Sequence, residues 1–430
     1  MNCHIQIFLD GHWQTAAIFE PDAQTLDRGV AGGCLLQYDI DYAVTYLDRP
    51  KAELVPGLPV GFELFRFEQW PPFLVDLLPG GAGRRVWLKR MQVVNDGPQV
   101  DWHLLTRGAG NPPGNLRIAE AVLLPPPAHF KIGFPRQDII EQRERFLDYA
   151  EERGAHVAGA SSVQGEAPKY LLAEDWAGMF HAEGTLSDEK TRKFWLVKFP
   201  RGRRTDVRNQ QVLRNEAPYL KVAGKFGIRI GEPLIYEDGV LFVPRFDRKV
   251  SDRCVERLGM HSLYAVAGIP GYGATVRHDI FCHALAKVVT EPAREVREYI
   301  RRDILNLALR NTDNHGRNTA VLRTKGEVRL SPLFDFAPMF LDPEGIGRVS
   351  RWQDERPGDQ PQWAIICEKL GNILDPVETR TWLAGLSEDV KRLPETMLDC
   401  RVDDDIIQRL AGWIKEVATG LAEARLRTFV

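Results

Sequence analysis

Asn311-Thr312-Asp313-Asn314-His315-Gly316-Arg317-Asn318, with Leu333-Phe334-Asp335-Phe336 downstream, is the stretch that decides how this chain is read. From Asp313 to Asn318 the pattern is D-x-x-x-x-N, the spacing of a loop that transfers phosphoryl groups. A carboxylate there accepts the proton of an attacking hydroxyl, and an amide oxygen returning from the same loop holds Mg²⁺. A second carboxylate, here Asp335, must bridge the metal to phosphate oxygens, because a loose transition state depends on positioning and charge neutralisation. Taken alone the motif is equally a polar turn capping a helix over 299–310. Its neighbours along the chain are what give it weight.

Upstream, Phe194-Trp195-Leu196-Val197-Lys198-Phe199 predicts a strand that stops at Pro200, with Lys198 near its end as a phosphate-pairing lysine. Residues 208–225 predict a helix despite Pro218, and Glu216 on it is placed to orient that lysine; a solvated lysine and a surface glutamate are the plain alternatives. The stretch 161–169, Ser-Ser-Val-Gln-Gly-Glu-Ala-Pro-Lys, precedes a Lys-led strand, where a phosphate-covering loop is expected. Asp238-Gly239 between two apolar runs predicts a hairpin, since a tight turn there needs positive φ.

Around this centre the chain falls into three expected parts. Residues 1–124 show short apolar runs cut by Gly, Pro and Asp, at 5–9, 34–38, 43–47, 61–67 and 118–124, which predict strands of a β-rich subdomain ending at Pro125-Pro126-Pro127. Residues 125–250 read as a small α+β lobe, with a charge-rich helix over 137–152. Residues 251–430 are mainly helical, with apolar positions at helical spacing in 280–289, 299–309, 406–417 and 421–426, and irregular over 346–362.

Composition narrows the function classes. The 430 residues are 44% hydrophobic and 27% charged, which excludes a disordered or collagenous chain, and the length calls for more than one core. A net charge of −3 gives no global positive field for nucleic acid. The segment 190–204 is locally basic, with Lys190, Arg192, Lys193, Lys198, Arg201, Arg203 and Arg204 and no acid, so it reads as a solvated face or a local partner contact. The six cysteines have no zinc spacing and predict buried thiols, and His278 and His283, five apart, do not suit a shared metal. With no signal peptide and no long apolar run, the expectation is a cytoplasmic, non-membrane protein.

The ordered set Ser162-Val163-Gln164-Gly165-Glu166-Ala167-Pro168-Lys169, Leu196 to Pro200, Asn215-Glu216, Arg245-Phe246-Asp247-Arg248, Thr312 to Asn318 and Leu330 to Asp335 resembles the HipA family of toxin serine/threonine kinases. Asp76 to Arg84 and Gly114 to Ile118 resemble that family's N-terminal subdomain. The resemblance implies an α+β, bilobal kinase-like fold: a β-rich N-terminal subdomain, a small α+β lobe and an all-helical C-terminal lobe. It also implies ATP and Mg²⁺ as cofactors, Asp313 as catalytic base, and Asn318 and Asp335 as metal ligands. Lys198 would pair with phosphate and Glu216 with that lysine. Val163, Gln164, Gly165, Glu166, Ala167, Pro168 and Lys169 would form the phosphate loop, Val243, Pro244, Arg245 and Phe246 the adenine hinge, and His315 a second contact near the phosphates. Ser162 matches a self-phosphorylation site. The partners implied are a protein substrate such as an aminoacyl-tRNA synthetase, a helix-turn-helix antitoxin of HipB type, and DNA through that antitoxin. Pro244, Asn314 and Arg317 depart from the family pattern. An idle module bridging such an antitoxin on DNA, and a kinase of lipids or small molecules, remain alternatives.

Overall fold

The computed structural model describes residues 1–122, 133–142, 144–153, 168–200, 206–270, 274–353, 355 and 360–425. The phosphate loop at 163–167, Ser162, and Arg201, Arg203 and Arg204 lie outside them. Two compact units emerge, one of Met1–Arg203, Leu234–Tyr272 and Leu322–Gly326, the other of Arg204–Pro233, Gly273–Val321 and Glu327–Val430.

The first unit opens with β1 (Cys3–Leu9), β2 (His12–Pro21), β3 (Cys34–Tyr38), β4 (Leu64–Phe67) and β5 (Leu116–Ile118), an antiparallel sheet in the order β4-β3-β2-β1-β5. Asp10 and Gly11 both have positive φ, 54° and 87°, and close the β1–β2 hairpin as an Asp-Gly turn does. Four helices accompany the sheet: α1 (Ile40–Tyr46), α2 (Pro72–Leu77), α3 (Gly81–Arg90) and α4 (Asp101–Gly108). Ile5, Ile7, Phe19, Leu36, Trp70, Leu74 and Leu104 lie in their shared core. The stretch 43–47, expected as a strand, belongs to α1. Its β-branched and aromatic residues suggest a strand, but Asp39 caps the Tyr42 N–H at 3.1 Å. Tyr42 and Tyr46, one helical turn apart, then turn into the core and spend their hydroxyls on Ala52 O and Gln14 Oε1.

A second sheet follows two short helices, α5 (Arg136–Ile140) and α6 (Glu144–Glu152). The single helix expected over 137–152 is broken between them, where Gln142 takes a φ of 51°. The strands are β6 (Lys169–Asp175), β7 (Phe180–Ala182), β8 (Thr191–Lys198), β9 (Ile235–Glu237) and β10 (Val240–Pro244), in the order β7-β6-β8-β10-β9. Phe134, Phe146, Tyr170, Trp195 and Phe242 fill its core. The hairpin between β9 and β10 turns through Asp238 and Gly239 at φ 44° and 85°, as the sequence predicts. β11 (Arg248–Ser251) pairs with β12 (Cys254–Arg257), and β13 (Gly259–Ser262) leads into α8 (Leu263–Ala267).

The second unit is mainly helical: α7 (Val207–Lys225), α9 (His278–Val288), α10 (Pro292–Ala308), α11 (Trp363–Lys369), α12 (Pro376–Lys391), α13 (Leu393–Asp399) and α14 (Asp404–Ala422). Asp206 caps α7 through the Arg208 and Asn209 N–H groups, and the helix runs on through Pro218. Short strands β14 (Ala320–Arg323) and β15 (Val328–Leu330) follow α10. Five cysteines are buried as expected; Cys254, in the β11–β12 hairpin, is exposed. Among the described residues no helix is long and apolar enough to cross a membrane.

Candidate active site

α10 is the mount of the second unit's polar loop. Its buried face carries Glu295, Val296, Tyr299, Arg302 and Asp303, and three of these are charged, which is costly in a core unless each is paired. Glu295 and Arg302 are paired with the segment that leads to Asp335, and Asp303 with Arg348 and Trp352. Glu295 accepts the Leu330 N–H at 2.8 Å and the Arg229 guanidinium at 2.8 and 2.9 Å, while Arg229 also donates to Leu330 O at 2.8 Å. Arg302 donates to Ser331 O at 2.6 Å and to Glu298 at 2.9 Å. The Leu333 N–H reaches Arg229 O, and the Ser331 N–H reaches Ala320 O, each at 2.8 Å. Burial opposes the Glu295 charge, but the Arg229 and Leu330 bonds outweigh it and lower its pKa.

The loop itself leaves α10 through Arg310, left-handed at φ 50°. Asn318 turns it back: its amide Nδ2 donates to Asp313 O at 2.9 Å and its backbone N–H to His315 O at 2.9 Å. With Nδ2 committed inward, the amide oxygen is the atom left for a cation. The imidazole of His315, buried, accepts the Arg317 N–H on Nδ1 at 3.2 Å. In the neutral ring the proton then sits on Nε2, which lies 3.2 Å from Asp313 Oδ1. Asp335 is held at φ 53°, an uncommon conformation for a non-glycine residue and a strain found at functional sites. Among the described residues no three His, Cys, Asp or Glu side chains gather as a metal site. One carboxylate and one amide oxygen suit Mg²⁺ better, since it takes few protein ligands and completes its shell with phosphate and water.

The first unit carries Lys198 and the residues 243–246. Lys198 ends β8 between Lys169 of β6 and Leu241 of β10, and it is buried rather than solvated. Glu216, on α7 in the second unit, is also buried, with Asn215 beside it accepting the Asp403 N–H at 3.0 Å. Pro244 pairs with Trp195 at the end of β10, and the next N–H, Arg245, is taken by Phe194 O at 3.0 Å.

Sequence alone missed what the Arg245 to Arg248 motif does within the first unit. Arg245 bonds Glu183 and Asp247, each at 2.5 Å, and Arg248 bonds Asp247 at 2.7 Å and Glu183 at 3.1 Å. All four are buried or nearly so. Asp247 also accepts the Gly114 N–H at 2.7 Å, and Arg248 donates to Gly114 O and Pro112 O. Burial disfavours the Asp247 charge, yet the two guanidinium groups hold its pKa far below the usual carboxylate range. The cluster ties the first sheet's closing strand to the second sheet. Three charged residues within four positions, opposite a distant Glu, give no periodic signal from which this could be read.

Asn314 is also structural. Its Oδ1 accepts the Val349 and Ser350 N–H groups at 3.1 and 3.2 Å, and Nδ2 donates to Ser350 O at 2.9 Å. Next to it His278, buried, meets Tyr299 OH at 2.7 Å and Asp303 at 3.4 Å, and Asp303 accepts Arg348 and Trp352 Nε1. His278 is thus a core residue, as the sequence suggests. In the basic segment, Arg192 pairs with Glu174 at 2.5 Å and Lys193 lies over the Trp195 ring at 4.6 Å.

A fold of this kind, with the Asp313 loop and the segment leading to Asp335 on one helical mount, matches proteins already known. Residues 161–395 match the model of the HipA-like C-terminal domain, and the chain belongs to that family. A Sinorhizobium fredii (strain NBRC 101917 / NGR234) protein named "Putative kinase Y4mE" is 25% identical over 398 residues, which cover 86% of this chain and 90% of the relative. The HipA chain in the Shewanella oneidensis MR-1 complex of HipA, HipB and operator DNA superposes with a TM-score of 0.69 at 16% identity. That match covers 99% of this chain and 100% of the other, and it shows the α+β, kinase-like fold.

Proposed function

We propose that this chain is an ATP- and Mg²⁺-dependent serine/threonine protein kinase of the HipA toxin type. The observation that carries the proposal is the shared mount: the segment leading to Asp335 is bonded to α10 through Glu295 and Arg302, and the loop that leaves the same helix carries Asp313, with His315 Nε2 3.2 Å from its carboxylate, and the amide of Asn318. In this scheme Asp313 accepts the proton of a substrate serine hydroxyl as its oxygen bonds to the γ-phosphorus of ATP, and the bond to the departing ADP breaks. Asn318 and Asp335 would hold Mg²⁺, which would supply charge neutralisation for the phosphates. Lys198 supplies a buried cation for the nucleotide, with Glu216 as its partner, and Val243 to Phe246 serve as the adenine hinge through backbone groups, since the Arg245 side chain is committed to carboxylates.

Three parts are proposed, an N-terminal subdomain, a small lobe and a helical lobe, divided near residues 124 and 250. The kinship with Y4mE, named as a kinase, and the fold shared with a HipA crystallised with HipB and operator DNA support the partners suggested by sequence. These are a cytoplasmic substrate of the translation machinery, such as an aminoacyl-tRNA synthetase, and a helix-turn-helix antitoxin that brings DNA. Ser162 is the proposed self-silencing site, because a phosphoserine's roughly −1.5 to −2 charges would compete with ATP for the same cations. Incubation with γ-labelled ATP and a host lysate tests the activity. A labelled band that is lost in Asp313→Asn supports it; no transfer to lysate or to the chain itself refutes it.

A further inference from the structure

We infer that a small cavity in the first unit, walled by three arginines, is a binding site for a phosphate dianion, free or carried on a phosphorylated side chain. It lies where α4, the stretch after it, the end of α6 and the turn after β7 meet, and it has a volume of about 90 Å³. That is the share of about three liquid waters at ~30 Å³ each. It is room for one tetrahedral phosphoryl group and well below the ~300 Å³ at which sites for whole small molecules begin.

The walls are cationic. Arg107, Arg117 and Arg153 line the cavity together with Asn111, an amide donor, and the indole of Trp87. The carboxylate that also lines it, Glu183, is already spent, since its two oxygens bond Arg245 and Arg248. Arg153 lies 3.4 Å from Glu152, which is exposed. Arg107 is exposed and has no ion-pair partner among the described residues.

Arg117 is the informative member. Its Nε donates to Gln6 Oε1 at 2.8 Å and its guanidinium stacks on Trp13 at 4.0 Å, so the fork is held rigidly, but by neutral groups. Burial and the neighbouring Arg257 act against its charge and push its pKa down to about 10. Arg257 has its own carboxylate, Asp188 at 2.7 Å, while Arg117 has none among the described residues. A half-buried guanidinium fixed beside a cavity, uncompensated and flanked by two more, is arranged for an anion that completes the charge balance. Guanidinium forks and an amide N–H favour the several acceptor oxygens of a phosphate over a carboxylate. Free phosphate and a phosphorylated serine side chain present the same dianion. The site stands whether or not the chain is a kinase.

Calorimetric titration of the full chain with inorganic phosphate and with O-phosphoserine, at low ionic strength, tests the site. Saturable one-site binding is expected, weakened about ten-fold or more in Arg117→Gln and in Arg107→Gln, and unchanged in Lys190→Gln, an exposed lysine that does not line the cavity. Arg107→Gln alters an exposed side chain and keeps the test valid should Arg117→Gln disturb the stack on Trp13. Phosphate should also raise the melting temperature of the wild type more than that of either variant. Tighter binding of O-phosphoserine than of phosphate identifies a phosphorylated side chain as the ligand, and equal binding identifies the free ion. Absence of saturable binding by the wild type, or undiminished binding by both arginine variants, overturns the inference.

Discussion

Asn314 and Ser350 are joined reciprocally: Asn314 Oδ1 accepts the Ser350 N–H at 3.2 Å while Asn314 Nδ2 donates to Ser350 O at 2.9 Å. A side-chain amide thereby stands in for a strand partner and anchors the otherwise irregular 346–353 stretch to the residue after Asp313. Asn314→Ala leaves buried backbone groups at Val349 and Ser350 without partners, and should cost about 2–3 kcal/mol of stability. Denaturant unfolding measures this. An unchanged midpoint would show that the clamp is dispensable.

Asp313→Asn should retain MgATP binding while abolishing phosphoryl transfer, because the hydroxyl loses its proton acceptor and the phosphate clamp stays. Asp335→Ala should weaken MgATP binding as well. Nucleotide binding and transfer measured on the same preparations separate the two roles, and wild-type transfer by both variants would refute them.

His278 should make stability depend on pH. Burial is the main cause that lowers its pKa from 6.5 to about 4; Arg348 acts in the same direction, and Asp303 and Asp279 oppose it. The folded state therefore resists protonation that the unfolded chain accepts. Stability from this group is complete above about pH 6.5 and is lost as pH falls toward 4, on the order of 3 kcal/mol. Unfolding free energies across that window should show the slope in the wild type and a flatter one in His278→Gln.

Asp247→Asn should be among the most damaging substitutions in the first unit, at about 3–5 kcal/mol, since it leaves Arg245 and Arg248 buried with one carboxylate between them. Urea unfolding followed by Trp fluorescence would record it. A loss below 1 kcal/mol would mean that Glu183 alone can balance both cations.

Much of this was legible in the chain. Short-range rules place β3 at Cys34–Tyr38, the Asp238-Gly239 hairpin and α7 through Pro218, because alternation, turn chemistry and helical spacing act within a few residues. The kinase-like fold was legible through motif order. What escaped is tertiary in origin. α1 looks like a strand until Tyr42 and Tyr46 find acceptors at Ala52 and Gln14. The roles of Arg229, Glu295 and Arg302 depend on partners 29 to 101 positions away along the chain, beyond any local pattern.

The left-handed backbone at Asp335 limits what that position can become in descent. Glycine, asparagine and aspartate tolerate such a conformation, while alanine or glutamate adds strain to the change of chemistry. A lineage that abandons phosphoryl transfer but keeps the fold therefore has two inexpensive exits here, Asp335→Asn and Asp335→Gly. Under the proposed role of Asp335, either change would remove the carboxylate while sparing the backbone.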